Sequence, residues 1–171
     1  MDKNIVLIGF MGVGKTTYGK AIAKVFGMEF IDSDEFIEES EGTDVRSIFR
    51  QKGEEYFREL EKTAVESLSK RKGLVIATGG GIVKKEENMK ALKSLGIIVY
   101  LEASAEQIMK NLEGDLSRPL LDGGNKLEKI TELLKERRPL YEKYQDIIFI
   151  VGRDNIENNV KRLAKLLEVL V

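Results

Sequence analysis

Residues 5–17 read IVLIGFMGVGKTT, a short apolar run passing directly into a glycine-rich loop. Ile5, Val6, Leu7 and Ile8 have the length and β-branched content of a buried parallel strand. Gly9 to Thr16 matches G-x-x-x-x-G-K-[ST] in full. Tyr18, Ile22, Val25 and Phe26 then recur at helical spacing among lysines and alanines. A chance glycine-rich turn is the plain alternative, and the strand before and helix after argue against it. Phosphate oxygens need many donors and little crowding. Glycines turn backbone N–H groups inward, and a helix N-terminus adds its positive dipole end. Gly12, Val13, Gly14, Lys15, Thr16 and Thr17 are the candidate contacts, with Lys15 for the β- and γ-phosphates and the Thr16 hydroxyl for Mg²⁺. The stretch implies a nucleoside triphosphate site.

Composition narrows the chemistry. The 171 residues suit one domain, 1–171, with room for a small lid. A net charge of −1 provides no broad basic surface, so nucleic acid is not an expected partner. No apolar run reaches the roughly 18 residues of a membrane span. The first strand begins so near Met1 that no targeting segment is expected, and the cytoplasm is the expected compartment. Cysteine and histidine are both absent, which removes disulfides, a thiol nucleophile and the usual general base. Catalysis must use carboxylates, Lys, Arg, hydroxyls, backbone amides and a hard cation.

Working outward, Met28 to Ile31 reads as a second strand ending at Asp32-Ser33-Asp34, followed by a helix to Glu41 that Gly42 stops. Thr43 or Asp44 caps a long helical region to Lys72, with a break offered by Gly53. Residues 74–77 form a third strand leading into Thr78-Gly79-Gly80-Gly81. A helix around Met89, Leu92 and Leu95 closes at Gly96, and 97–101 is a fourth strand. Ser104 and Gln107 form a capping box. Residues 113–125 are loop-like and mark a mobile segment. Residues 126–144 are helical, kinked or divided at Pro139; 146–151 is a fifth strand; and Asp154 caps a closing helix from Asn155 to Leu170. Alternating strands and helices predict an α/β three-layer domain with a parallel sheet, and ligands in such sheets bind beyond the strand C-termini.

Several residues at that edge carry two readings. Asp32 and Asp34 stand two apart after a strand, so one carboxylate suits Mg²⁺ and the other an attacking hydroxyl; alternatively, Asp34 caps the next helix. Arg58 and Glu61, at i and i+3, fit a site pair, but spacing alone favours a surface ion pair of about 0.2–0.5 kcal/mol. Three successive glycines, 79–81, suggest close ligand approach to bare amides. Arg118 is either a finger over the transferring phosphate or an exposed loop residue, and Arg137 and Arg138 pose the same choice on a helix.

Taken together, GFMGVGKTT, IDSDEFIE, FRELE, ATGGGIV, SRPLL and RRPLY, in this order over residues 5–141, resemble the shikimate kinase family. The resemblance implies Mg²⁺-dependent transfer of the ATP γ-phosphate to the 3-hydroxyl of shikimate, in aromatic amino-acid biosynthesis. It further implies an NMP-kinase-like, five-stranded sheet of order 2-3-1-4-5, a substrate-binding region at about 33–61 and a lid at about 113–124. By position, Asp34 would hold the hydroxyl. Arg58, Gly79, Gly80, Gly81 and Arg137 would contact shikimate, Glu61 would orient Arg58, and Phe49 and Phe57 would line the pocket. Asp32 and Thr16 would serve the cation, and Lys15 and Arg118 the phosphates. Arg137 rather than Arg138 matches the family's position before Pro139. Near the adenine, where the family often has arginine, Lys110 and Asn111 stand here, and Arg153 is offered either for stacking or as an exposed turn residue.

Other functions compete less well. A GTPase needs N-K-x-D after a strand, and Asn125-Lys126-Leu127-Glu128 has the wrong acid and no preceding strand. A kinase of gluconate or a nucleoside monophosphate is the nearest enzymatic alternative, and an ATP-sensing module the non-enzymatic one. A monomer is expected for so compact a chain.

Overall fold

The computed structural model describes residues 3–113, 125–152 and 154–170. Its centre is β1 (Asn4–Ile8), whose five residues are all buried. It lies between β3 (Leu74–Ala77) and β4 (Gly96–Glu102), with β2 (Glu29–Asp32) and β5 (Ile147–Ile150) at the edges. The order is β2-β3-β1-β4-β5 and every pairing is parallel, as the resemblance implied.

Strand alternation sends successive side chains of β1 to opposite faces, and both faces are covered. Ile5 and Leu7 join Ile22 of α1 (Lys15–Phe26) and Leu163 of α7 (Ile156–Leu167). Val6 and Ile8 join Val65 of α3 (Val45–Leu68), Met89 of α4 (Glu86–Leu95) and Tyr141 of α6 (Lys126–Tyr144). A smaller cluster beneath α2 (Ser33–Glu41) packs Ile37 against Ile48, Phe57 and Ala64 of α3. Leu7 pairs with Ala77, and Ala77 with Asp32. Three strands therefore end level, and the segments after them meet at one edge.

Local chemistry sets the joints. Asp44 caps α3 by accepting from the Ser47 amide at 2.7 Å, settling the choice with Thr43. Gly53 interrupts α3 at φ 82, ψ 173. The helix ends at Leu68, before the Lys70–Lys72 run. Asn155, rather than Asp154, caps α7, because its side chain reaches the Asn158 amide at 2.9 Å. Helix α6 continues through Pro139 as one element, with Arg137 and Tyr141 buried on either side of the proline. Between α4 and β4 there is no loop, since Gly96 is both the helix cap and the first strand residue. A Cβ there would lie 1.9 Å from the Asn4 carbonyl oxygen.

The Gly53 conformation belongs to a region essentially restricted to glycine. Gly53→Ala is therefore expected to lower stability by about 1–3 kcal/mol, although no atom crowds a Cβ there. Urea denaturation followed by circular dichroism checks this, and an unchanged midpoint contradicts it.

Candidate active site

The loop from Gly9 to Gly14 begins the site. Gly12 and Gly14 adopt φ of 78° and 103°, which aims the backbone into the cleft. Gly14 caps α1 without a side-chain hydrogen bond, and the first turn of α1 has no acidic residue. The leading amides of α1 are thus left to an anion. Lys15 is buried, with Nζ donating to the Gly9 and Phe10 carbonyls at 2.7 and 2.9 Å. The same ammonium sits inside the loop it would help to close around phosphates.

This loop forms one wall of a cleft of about 520 Å³ that also includes Thr16, Thr17, Asp32, Asp34, Gly79, Gly80 and Asn111. Asn111 was singled out only as a departure near the adenine. Its Nδ2 donates to the Gly12 carbonyl at 2.8 Å, and Gln107 Nε2 donates to its Oδ1 at 2.8 Å. Helix α5 (Ala105–Asn111) therefore braces the loop, while Lys110 is exposed. Arg118, Arg153 and nearly all of the lid expected at about 113–124 lie outside the described residues.

Asp32 and Asp34 divide their tasks. The Asp32 carboxylate caps α2 through Oδ1, accepting from the Asp34 amide at 3.0 Å, and accepts the Thr16 hydroxyl through Oδ2 at 2.7 Å. The capping reading for Asp34 is thereby overturned: the cap lies two residues earlier. A hydroxyl and a carboxylate joined in a phosphate cleft fit a hard cation that takes its other ligands from phosphate and water. Among the described residues no group of three or more acidic side chains forms a cage by itself.

Behind Asp34 lies a second, largely buried cluster that does not border the cleft. The surface reading of Arg58 and Glu61 is wrong. Arg58 is 5% and Glu61 1% exposed, and Nη1 donates to Oε2 at 2.7 Å. The i, i+3 spacing is the same on a wet or a dry helix face, and here that face is covered by the glycine loop. A Cβ on Gly79 would approach Asp34 Oδ1 at 2.8 Å and Glu61 Oε1 at 2.9 Å, and one on Gly81 would strike the Arg58 guanidinium at 2.4 Å. The glycines are the space these charges occupy. Phe57 is buried against Phe49, with ring centroids 4.9 Å apart, and Arg58 lies over Phe57.

Arg137 is 1% exposed and lies over the Phe10 ring, whereas exposed Arg138 pairs with Glu102 and Glu142. The choice between them is resolved by which side of α6 faces the core. One turn beyond Arg137, Tyr141 donates to the Gly80 carbonyl and stacks on Tyr100. In the sequence, its position four residues after Arg137 is the signal that places the two on one helix face. Arg58 Nε, Glu61 Oε1 and Arg137 Nε and Nη1 are buried without a hydrogen bond. Such atoms are rare in folded proteins and concentrate where a ligand completes them.

The shikimate kinase family model matches residues 11–168. The chain belongs to the shikimate kinase family. It is 50% identical over 141 residues to the shikimate kinase of Thermodesulfovibrio yellowstonii, covering 82% of each chain. It is 46% identical over 163 residues to that of Caldanaerobacter subterraneus subsp. tengcongensis, covering 95% of each. Among solved structures, the shikimate kinase from Acinetobacter baumannii in complex with shikimate superposes with a TM-score of 0.95 at 37% identity, covering 99% of this chain and 94% of that one. The chain is accordingly an ATP-dependent kinase, and the chemistry implies a metal ion.

Burial pushes the Glu61 carboxyl up to about 7, against the pull of Arg58 and with the Asp34 charge adding to the rise. The folded protein therefore holds this proton more tightly than the unfolded chain, whose value is near 4.5. The corresponding stability is full below pH 4.5 and is lost as pH rises through about 7. Urea midpoints measured between pH 4.5 and 8 are expected to carry this downward component in the wild type and to lack it in Glu61→Gln. Parallel pH profiles would refute it.

Proposed function

We propose that this enzyme transfers the γ-phosphate of ATP to the 3-hydroxyl of shikimate, giving shikimate 3-phosphate and ADP in aromatic amino-acid biosynthesis. The observation that supports the acceptor assignment is the pair of buried arginines, Arg58 and Arg137, each with buried donors that have no hydrogen-bond partner. Two guanidiniums supplied from different helices suit one carboxylate and its neighbouring hydroxyls. The acid-and-alcohol character of shikimate matches that set.

ATP phosphates occupy the loop of Gly12, Val13, Gly14, Lys15, Thr16 and Thr17. Thr16 and Asp32 would hold Mg²⁺, which would supply neutralising charge to the phosphates. Shikimate docks by its carboxylate on Arg58 and Arg137, with Glu61 orienting Arg58, Phe49 and Phe57 as the apolar wall, and Gly79, Gly80 and Gly81 allowing close approach. Asp34 orients the 3-hydroxyl and accepts its proton as the new oxygen–phosphorus bond forms. The bond from the γ-phosphorus to the β-bridging oxygen breaks, and ADP leaves with that electron pair. Lys15 and Arg118 meet the charge on the moving phosphoryl group, and Arg153 stacks on the adenine.

Residues 1–171 act as one kinase domain, with acceptor binding in about 33–61 and a lid at about 113–124. Lid closure excludes water, which would otherwise compete for the phosphoryl group. The enzyme works as a monomer in the cytoplasm, without a nucleic-acid or membrane partner. Among the described residues, no helix is long and apolar enough to cross a membrane.

ADP release in the presence of Mg²⁺ is expected with shikimate and not with gluconate or AMP. Turnover with either of those instead would transfer the acceptor site to another substrate class. Asp34→Asn is expected to lower kcat by at least about 10²-fold while ATP binding, read by calorimetry, is retained; undiminished kcat would remove Asp34 from the chemistry. Arg137→Ala is expected to raise KM for shikimate more than it lowers kcat, and an unchanged KM would remove its docking role.

A further inference from the structure

Arg58 is not waiting with an open hand. Its Nη1 is taken by Glu61 at 2.7 Å and its Nη2 by Glu54 Oε1 at 2.9 Å, while Nε is buried without a hydrogen bond. In a guanidinium, Nε–H and one N–H of Nη2 point the same way and form the side of the fork that receives a carboxylate bidentately. One of the two nitrogens that form that side, Nη2, is already bonded to the protein's own acid.

The two acids holding Arg58 differ in their freedom. Glu61 is 1% exposed and hemmed in by Gly79 and Asp34. Glu54 has a side chain 37% exposed and a second partner, since Lys84 Nζ donates to the same Oε1 at 3.4 Å. Lys84 belongs to the short 3₁₀ turn Ile82–Lys84 that follows the glycine loop. Glu54 also opens the helical segment that restarts after the Gly53 break, so its backbone is set one turn ahead of Arg58. Burial raises the Glu54 carboxyl, but Arg58 and then Lys84 outweigh it and hold the group below the ordinary carboxylate value.

We propose that Glu54 is a built-in competitor for the acceptor's carboxylate, covering the Nη2 side of Arg58 in the empty enzyme and passing to Lys84 when substrate binds. The proposal rests on the reading that Arg58 receives a carboxylate. Its physical logic is an exchange of one ion pair for another. A buried guanidinium with half its fork unpaired is costly, so Glu54 stabilises the empty pocket and weakens the binding of any acid that must displace it. Glu54 is a positioning residue, with no contact to the reacting atoms.

Steady-state kinetics with shikimate on the full chain test this. Glu54→Gln is expected to lower KM for shikimate about three- to fivefold, the range of a partly exposed ion pair, with KM for ATP unchanged. Glu54→Asp withdraws the carboxylate by one methylene and is expected to lower KM in the same direction, which keeps the test open where the amide variant folds poorly. Lys84→Met removes the acid's alternative partner and is expected to raise KM about twofold in the wild type, but not in the Glu54→Gln background. A raised or unchanged KM in a Glu54 variant of wild-type melting temperature overturns the proposal. So does a Lys84→Met effect of equal size in both backgrounds. A wild-type enzyme that releases no ADP with shikimate overturns instead the reading of the site on which the proposal stands, so the two failures are distinguishable.

Discussion

The parallel ladders of β1 are the constraint on which the site depends. Asn4–Ile8 pairs with β3 on one side and β4 on the other, and both of its faces are buried. A parallel strand buried this completely has no freedom of register, because a one-residue slip would exchange the side chains packed on the two helical layers. The phosphate loop, the Asp32–Asp34 segment and the glycine loop all leave strands locked to this ladder. The Thr78 hydroxyl extends the tie by donating to the Leu7 carbonyl at 3.0 Å. The placement of the loops at the ligand edge is therefore a product of an apolar core beneath it.

Charge is distributed unevenly over this frame. One side of Asp34 is a polar, open cleft with backbone amides, a lysine and the hydroxyls of Thr16, Thr17, Tyr18 and Thr78; the other is a buried cluster of two arginines and a glutamate packed on Phe57 and Phe10. The first suits a strongly charged, partly hydrated ligand, and the second a smaller acid that arrives desolvated. Asp34 stands between them, lining the cleft on one side and lying beside Gly79 and the Glu61 cluster on the other. The glycine loop makes the proximity possible, since side chains on Gly79 or Gly81 would collide with the charges themselves.

Much of this was legible in the sequence. The phosphate loop announced itself because its chemistry is local: strand, glycines, lysine and helix are consecutive. The five strands were legible as apolar runs, though their spatial order came from family resemblance, since runs do not record their neighbours. Arg58 and Glu61 were misread from spacing because burial depends on what covers a helix, and the covering loop lies some twenty residues away in sequence. Asp34 carried two readings, and Asp154 was assigned a cap that belongs to Asn155, for a related reason: neighbouring polar residues compete for the same cap, and a one- or two-residue difference in where the helix starts decides it. Tyr141 is inconspicuous in the sequence because an aromatic on a helix normally packs in the core, and its hydroxyl meets Gly80 only through tertiary contact.

The missing loop between α4 and β4 reaches further than its own neighbourhood. With Gly96 serving as the end of one element and the start of the next, chain length at this joint is fixed as firmly as residue type. An added residue that pushed β4 one position along its ladder would turn Tyr100 away from Tyr141, and Tyr141 is what holds the Gly80 carbonyl. Insertions and deletions at the far end of the sheet would thus be read out at the ligand edge.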